Sequence, residues 1–170
     1  TAGFGEGHNT AAKNLKSAFE SLEGEAVEVQ VFDLLDGCYG VMNRMLRKTY
    51  AMAIDRAPRL WQHSYDFLDR SSHARSHLHT LTRLHAGMEK LLLNMDPDAV
   101  VSTYPLYNYV IDGIFLGKRP RRFHQVTVVT DSISVNSIWY RCHSDFYILP
   151  NEESSAILRE NGIEESRIRT

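Results

Sequence analysis

Between residues 9 and 22 the apolar side chains Ala11, Ala12, Leu15, Ala18, Phe19 and Leu22 recur three and four positions apart. That spacing lays them on one face of a helix, and Gly24 marks its end. Residues 27–32 (VEVQVF) alternate apolar with polar and predict a strand, with Asp33 just beyond it. Residues 38–94 carry no strand signal. They predict three helices, at roughly 38–54, 57–70 and 76–95, broken around Ala57-Pro58 and Ser71-Ser72. Strand and helix then alternate again. AVVS at 99–102 and VTVVT at 126–130 predict short buried strands, with a helix at 107–116 between them. FYIL at 146–149 predicts another strand, and 151–161 a helix closed by Gly162. Residues 167–170 read as one more strand beginning.

This order predicts an α/β domain, a mostly parallel Rossmann-like sheet with helices on both faces. The helical insertion after the first visible strand is its one departure from a plain doubly wound plan. The chain opens on a glycine turn without the strand expected to feed it, so it is expected to be a piece of a longer protein.

Composition narrows the function classes. The 170 residues fit one domain, and 43% hydrophobic residues suffice for a core. A formal net charge of −2 argues against nucleic acid as a partner, because that needs a basic face. Two distant cysteines, Cys38 and Cys142, form neither a disulfide framework nor a metal quartet, which points to a reducing, cytoplasmic setting. No apolar run approaches the ~20 residues that span a bilayer.

The sharpest local signal is Gly3-Phe4-Gly5-Glu6-Gly7-His8-Asn9, placed directly before the first helix. Glycines at Gly3, Gly5 and Gly7 allow close backbone approach to a ligand. A helix start aims unpaired N–H groups and partial positive charge at a phosphate, and Asn9 shares that position. A dinucleotide fingerprint would place glycine where His8 stands, and a P-loop would need Gly-Lys-Ser/Thr. Neither motif fits. His8, with an ordinary pKa of about 6.5, suits removal of a proton from a hydroxyl, and its place at a helix N-terminus is expected to lower that pKa. His73, His77 and His79 lie close together without a carboxylate or cysteine to complete a metal set. Asp96-Pro97-Asp98 has the form of a metal-binding Asp-x-Asp, but its proline makes it a turn into the following strand.

The block from Gly3 to Ala12 resembles the opening motif of the monogalactosyldiacylglycerol synthases and related processive diacylglycerol glucosyltransferases. Asp98 to Thr103 with Pro105 extends the resemblance. So do Thr130-Asp131-Ser132, Trp139, Asp145-Phe146-Tyr147, Pro150 to Glu153, and Gly162-Ile163. Together these blocks cover most of the chain outside residues 38–95. Tyr104 and Asn136 depart from the family, where histidine is commoner at both positions.

The resemblance implies the N-terminal, acceptor-binding half of a GT-B glycosyltransferase, whose nucleotide-sugar half would lie elsewhere in the protein. It implies transfer of a hexose from a UDP-sugar to diacylglycerol with inversion, with no metal or other cofactor, and an inactive fragment on its own. His8 matches the general base. Asp131 would orient His8 or bind acceptor hydroxyls, and Thr103, Asn136 and Trp139 would line the acceptor cleft. Such an enzyme must meet its lipid at a surface. Arg44, Arg47 and Lys48, set among methionines and tyrosines, are expected to dock on an anionic membrane, at about 1 kcal/mol for each charge. The expected state is thus cytoplasmic and peripherally membrane-associated. Two alternatives share the glycine turn: a transferase of this fold with another lipid-linked acceptor, and a non-catalytic nucleotide- or anion-binding module.

Overall fold

The computed structural model describes residues 1–4, 6–56, 81–131 and 135–170. The order is α1 (Glu6–Glu23), α2 (Leu34–Arg56), α3 (Thr82–Met95), β1 (Ala99–Ser102), α4 (Leu106–Phe115), β2 (His124–Val128), β3 (Phe146–Ile148), α5 (Glu152–Glu160) and β4 (Ile168–Arg169). The four strands form one sheet in the order β1-β2-β3-β4, every pair parallel. Ala99 stands opposite His124, Val126 opposite Phe146 and Tyr147 opposite Ile168. Each parallel step needs a long crossover, which is why connecting segments and strands alternate along the sequence. The fold is α/β and Rossmann-like.

Most predicted elements form within a few residues of their expected places. The final strand is real, as β4, and the helix after residue 151 is capped by the Asn151 side chain, which accepts from the Ser154 amide at 2.8 Å. The helices predicted at 57–70 and at the start of 76–95 lie outside the described residues, as do the candidate ligands His73, His77 and His79.

Residues 27–32 differ from expectation. They carry no ladder hydrogen bonds, although Val27 is extended (φ −128°, ψ 120°) and burial alternates from Val27 to Gln30. Alternation predicts a conformation, but a strand also requires a partner, and β1 is the edge of the described sheet. Between this segment and β1 runs a groove of about 580 Å³, lined by Leu15, Phe19, Val29, Val31, Met88 and Leu92 among others.

α2 also departs from its prediction. It starts four residues earlier than expected, at Leu34, and is kinked at Gly40 (φ 47°, ψ −115°), a left-handed backbone that glycine adopts without steric penalty. Its residues divide into two stripes. Asn43 is buried, and Tyr39, Arg47 and Tyr50 are half-buried, at helical spacing on the inner side. Val41, Met42, Met45, Leu46 and Met52 are all at least 51% exposed.

The core falls into two clusters. One joins Leu35, Leu84, Met88, Leu92, Val110 and Ile111 where α2, α3 and α4 meet. The other gathers Val129, Trp139, Tyr147, Leu149, Leu158 and Ile168 around β3 and α5. The site described next stands at the carboxyl ends of β1 and β2, where ligands sit in open parallel sheets.

Candidate functional site

His8 is the third residue of α1, and its ring is approached from two strand ends. The Thr130 hydroxyl, just past β2, lies 2.8 Å from His8 Nδ1. Thr103, just past β1, donates its hydroxyl hydrogen bond to the His8 carbonyl at 3.1 Å and so pins the first turn of α1 to the sheet. Tyr104 meets the imidazole edge-on at 5.1 Å between ring centroids, and Trp139 stands 6.1 Å away. Phe4 stacks on Tyr104 at 6.0 Å and meets Tyr50 of α2 edge-on at 5.5 Å. The imidazole thus lies in an aromatic bay.

Burial in this bay lowers the His8 pKa below its ordinary value. The Thr103 backbone and the Asp131 charge offset part of that shift. The expected direction therefore holds, but its main cause is desolvation rather than the helix terminus. A half-buried, neutral imidazole is a base ready to accept a proton near neutral pH. The same burial pushes the Tyr104 hydroxyl up to about 12, so it stays protonated and is available only as a hydrogen-bond donor or acceptor.

The remaining predicted residues have different surroundings. Asp131 accepts a 2.8 Å hydrogen bond from the Trp139 indole and reaches His8 through its charge, while Thr130 makes the ring contact. Trp139 is 1% exposed, so it forms the wall behind Asp131 rather than an open surface. Asn136 caps a short 3₁₀ turn, its side chain accepting from the Ile138 amide at 3.0 Å. Asn9 accepts from the Thr1 hydroxyl at 2.9 Å.

Among the glycines, Gly7 lies inside α1 with open space where a β-carbon would be, and Gly5 lies outside the described residues. A β-carbon at Gly3 would overlap the Arg47 guanidinium, the far end of a flexible side chain, so the bare glycine lets that group lie against the turn. The occupant of that space is a side chain of the chain itself. Arg47, expected to dock on a membrane, instead turns inward over Gly3 and sits 3.8 Å from Asp33. Arg44 and Lys48 are exposed.

Sequence reasoning gave Thr130, Tyr50 and Asp33 no role of their own in the site. Asp33 accepts from the Gly3 amide at 2.9 Å and from the Asp36 amide at 3.0 Å, so it ties the turn to the start of α2. Its place at the end of an alternating segment was the available signal. Tyr50 had none, since tyrosine on a helix reads equally well as core.

The family described as monogalactosyldiacylglycerol (MGDG) synthase matches residues 8–170. A "Probable monogalactosyldiacylglycerol synthase, chloroplastic" of Glycine max is 25% identical over 167 residues, which is 97% of this chain and 31% of that protein. The "Monogalactosyldiacylglycerol synthase, chloroplastic" of Spinacia oleracea is likewise 25% identical over 97% of this chain and 32% of its own length. The chain spans about a third of the length of these relatives. No solved structure matches it significantly.

Proposed function

We propose that this chain, which belongs to the monogalactosyldiacylglycerol synthase family, forms the acceptor side of a glycosyltransferase that moves a hexose from a UDP-sugar to diacylglycerol. The observation that carries the reading is His8. It is half-buried, held by Thr130 and Thr103, shifted toward its neutral form, and set where the carboxyl ends of two parallel strands meet a helix start.

In the proposed step a neutral His8 takes the proton of the acceptor glycerol hydroxyl as that oxygen attacks the anomeric carbon. The C–O bond to the nucleotide diphosphate breaks on the opposite face, and the sugar configuration inverts. Thr130 holds the imidazole and Thr103 holds the turn that carries it, while Asp131 stabilises the imidazolium that forms. The aromatic bay of Phe4, Tyr50 and Tyr104 excludes water from the ring.

The acceptor lies in a bilayer, and the outer stripe of α2 suits its surface. Val41, Met42, Met45, Leu46 and Met52 are exposed apolar side chains beside the exposed cations Arg44 and Lys48. Monomeric soluble proteins rarely leave such a patch open, and basic residues beside it add attraction to anionic headgroups. No helix among the described residues is long and apolar enough to cross a membrane.

The deciding experiment is a transfer assay on the full-length protein with diacylglycerol and a panel of UDP-sugars. His8→Ala is expected to lower kcat by about 10²–10⁴-fold while the melting temperature holds. A loss of only a few-fold would remove His8 from the role of base. Transfer to a polyprenyl-linked lipid in preference to diacylglycerol would reassign the acceptor.

A further inference from the structure

We propose that Arg47 is a positioning residue for the glycine turn, and that it couples α2 to His8 rather than meeting a membrane. This rests on the reading of His8 as the base and adds a residue to that machinery. The guanidinium occupies the space over Gly3 where a β-carbon would otherwise stand. Asp33 lies beneath, accepting the Gly3 amide at 2.9 Å, with Arg47 Nη1 3.8 Å from the same carboxylate oxygen. Arg47 and Asp33 thus grip the Gly3 peptide, one over its α-carbon and one at its N–H.

Gly3 precedes Phe4, and α1 with His8 begins at Glu6. A turn released at Gly3 lets the helix start, and the imidazole it carries, drift. Misplacement of a reacting group by about 1 Å costs on the order of 10²-fold in rate. Tyr50, three residues on along the same helix, meets Phe4, so α2 touches the turn at two successive residues. Arg44 and Lys48 belong to the other stripe. Adjacent positions on one helix therefore divide the work, Arg47 inward to the site and Arg44 with Lys48 outward.

The test uses the full-length protein, measured for transfer to detergent-dispersed diacylglycerol and for binding to phosphatidylglycerol-containing vesicles. Arg47→Ala is expected to lower kcat about tenfold or more while vesicle affinity stays within about twofold of the parent. Added guanidinium ion should restore part of the rate. Arg44→Glu with Lys48→Glu is expected to weaken vesicle binding instead. Arg47→Lys keeps the charge but not the flat group that lies over Gly3, and it should also fall in kcat; it decides the matter if Arg47→Ala does not fold. Full kcat in Arg47→Lys and Arg47→Ala, or loss of vesicle affinity matching the Arg44/Lys48 pair, overturns the proposal. Hydrogen exchange at the Gly3 amide reads the grip without catalysis and should quicken in Arg47→Ala. That separates failure of this inference from failure of His8 as base, which His8→Ala reports in the same assay.

Discussion

The two ends of β2 carry opposite kinds of polar chemistry. At its amino end, Arg121 places Nη2 2.7 Å from each Asp145 oxygen, and Asp145 also accepts from the Gln125 amide at 2.7 Å. Burial would raise the Asp145 pKa, but the Gln125 amide, His143 and Arg121 together hold it below the usual carboxylate range. From there a buried chain runs on. The Gln125 side-chain amide donates to Asn108 Oδ1 at 3.1 Å, Asn108 Nδ2 to Thr127 at 2.8 Å, and Thr127 to Ser144 at 2.8 Å. Partners fill this network, and a filled network specifies one arrangement. At the carboxyl end the described polar groups are set among rings: His8 with Thr130, and Asp131 with Trp139. Burial there depresses a base toward its neutral form instead of locking an ion pair. One end fixes the fold, and the other leaves an imidazole free to take a proton.

The sharpest way to break this contrast is to cut each end once. His8→Ala should abolish most turnover and leave stability intact, whereas Arg121→Met should do the reverse. Arg121 is 16% exposed and Asp145 25%, so removing the guanidinium takes the charge partner from a largely desolvated carboxylate, which keeps the Gln125 amide and His143, at a cost of about 2 kcal/mol. Thermal unfolding beside the transfer assay tests both, and a catalytic collapse in Arg121→Met would erase the division.

Trp139→Phe keeps the buried ring but deletes the indole donor to Asp131. It should cost about 1 kcal/mol in stability, measured by denaturant unfolding, because Asp131 loses that protein partner.

The smallest effect is electrostatic. As the proposed base, His8 must be neutral to act, so kcat/KM should fall on the acid side as pH drops through a midpoint below His8's ordinary value of about 6.5. The Asp131 charge raises the His8 pKa, so Asp131→Asn should move that midpoint to still lower pH. A midpoint that moves upward would contradict the placement of that charge beside the ring.

Much of this molecule is legible in local pattern. Period and capping residues are properties of neighbours in sequence, so α1, β1, α4, α5 and the run into β4 could be read directly from the residues. The glycine-histidine block and the Thr130-Asp131 pair were both visible in the sequence, and the fold brings them together where strands end and a helix begins. Pairing across the chain was not legible. Residues 27–32 have the alternation of a strand, but whether they join a ladder depends on which backbone lies beside them. Arg44, Arg47 and Lys48 look alike in sequence, yet only Arg47 faces Asp33 and Gly3, a choice made by the rotation of α2 against residues more than ten positions away. The contact of Arg47 with Gly3 and the depressed pKa of His8 have the same origin. Both come from side chains brought in by tertiary packing, because steric exclusion and desolvation depend on what lies nearby in space.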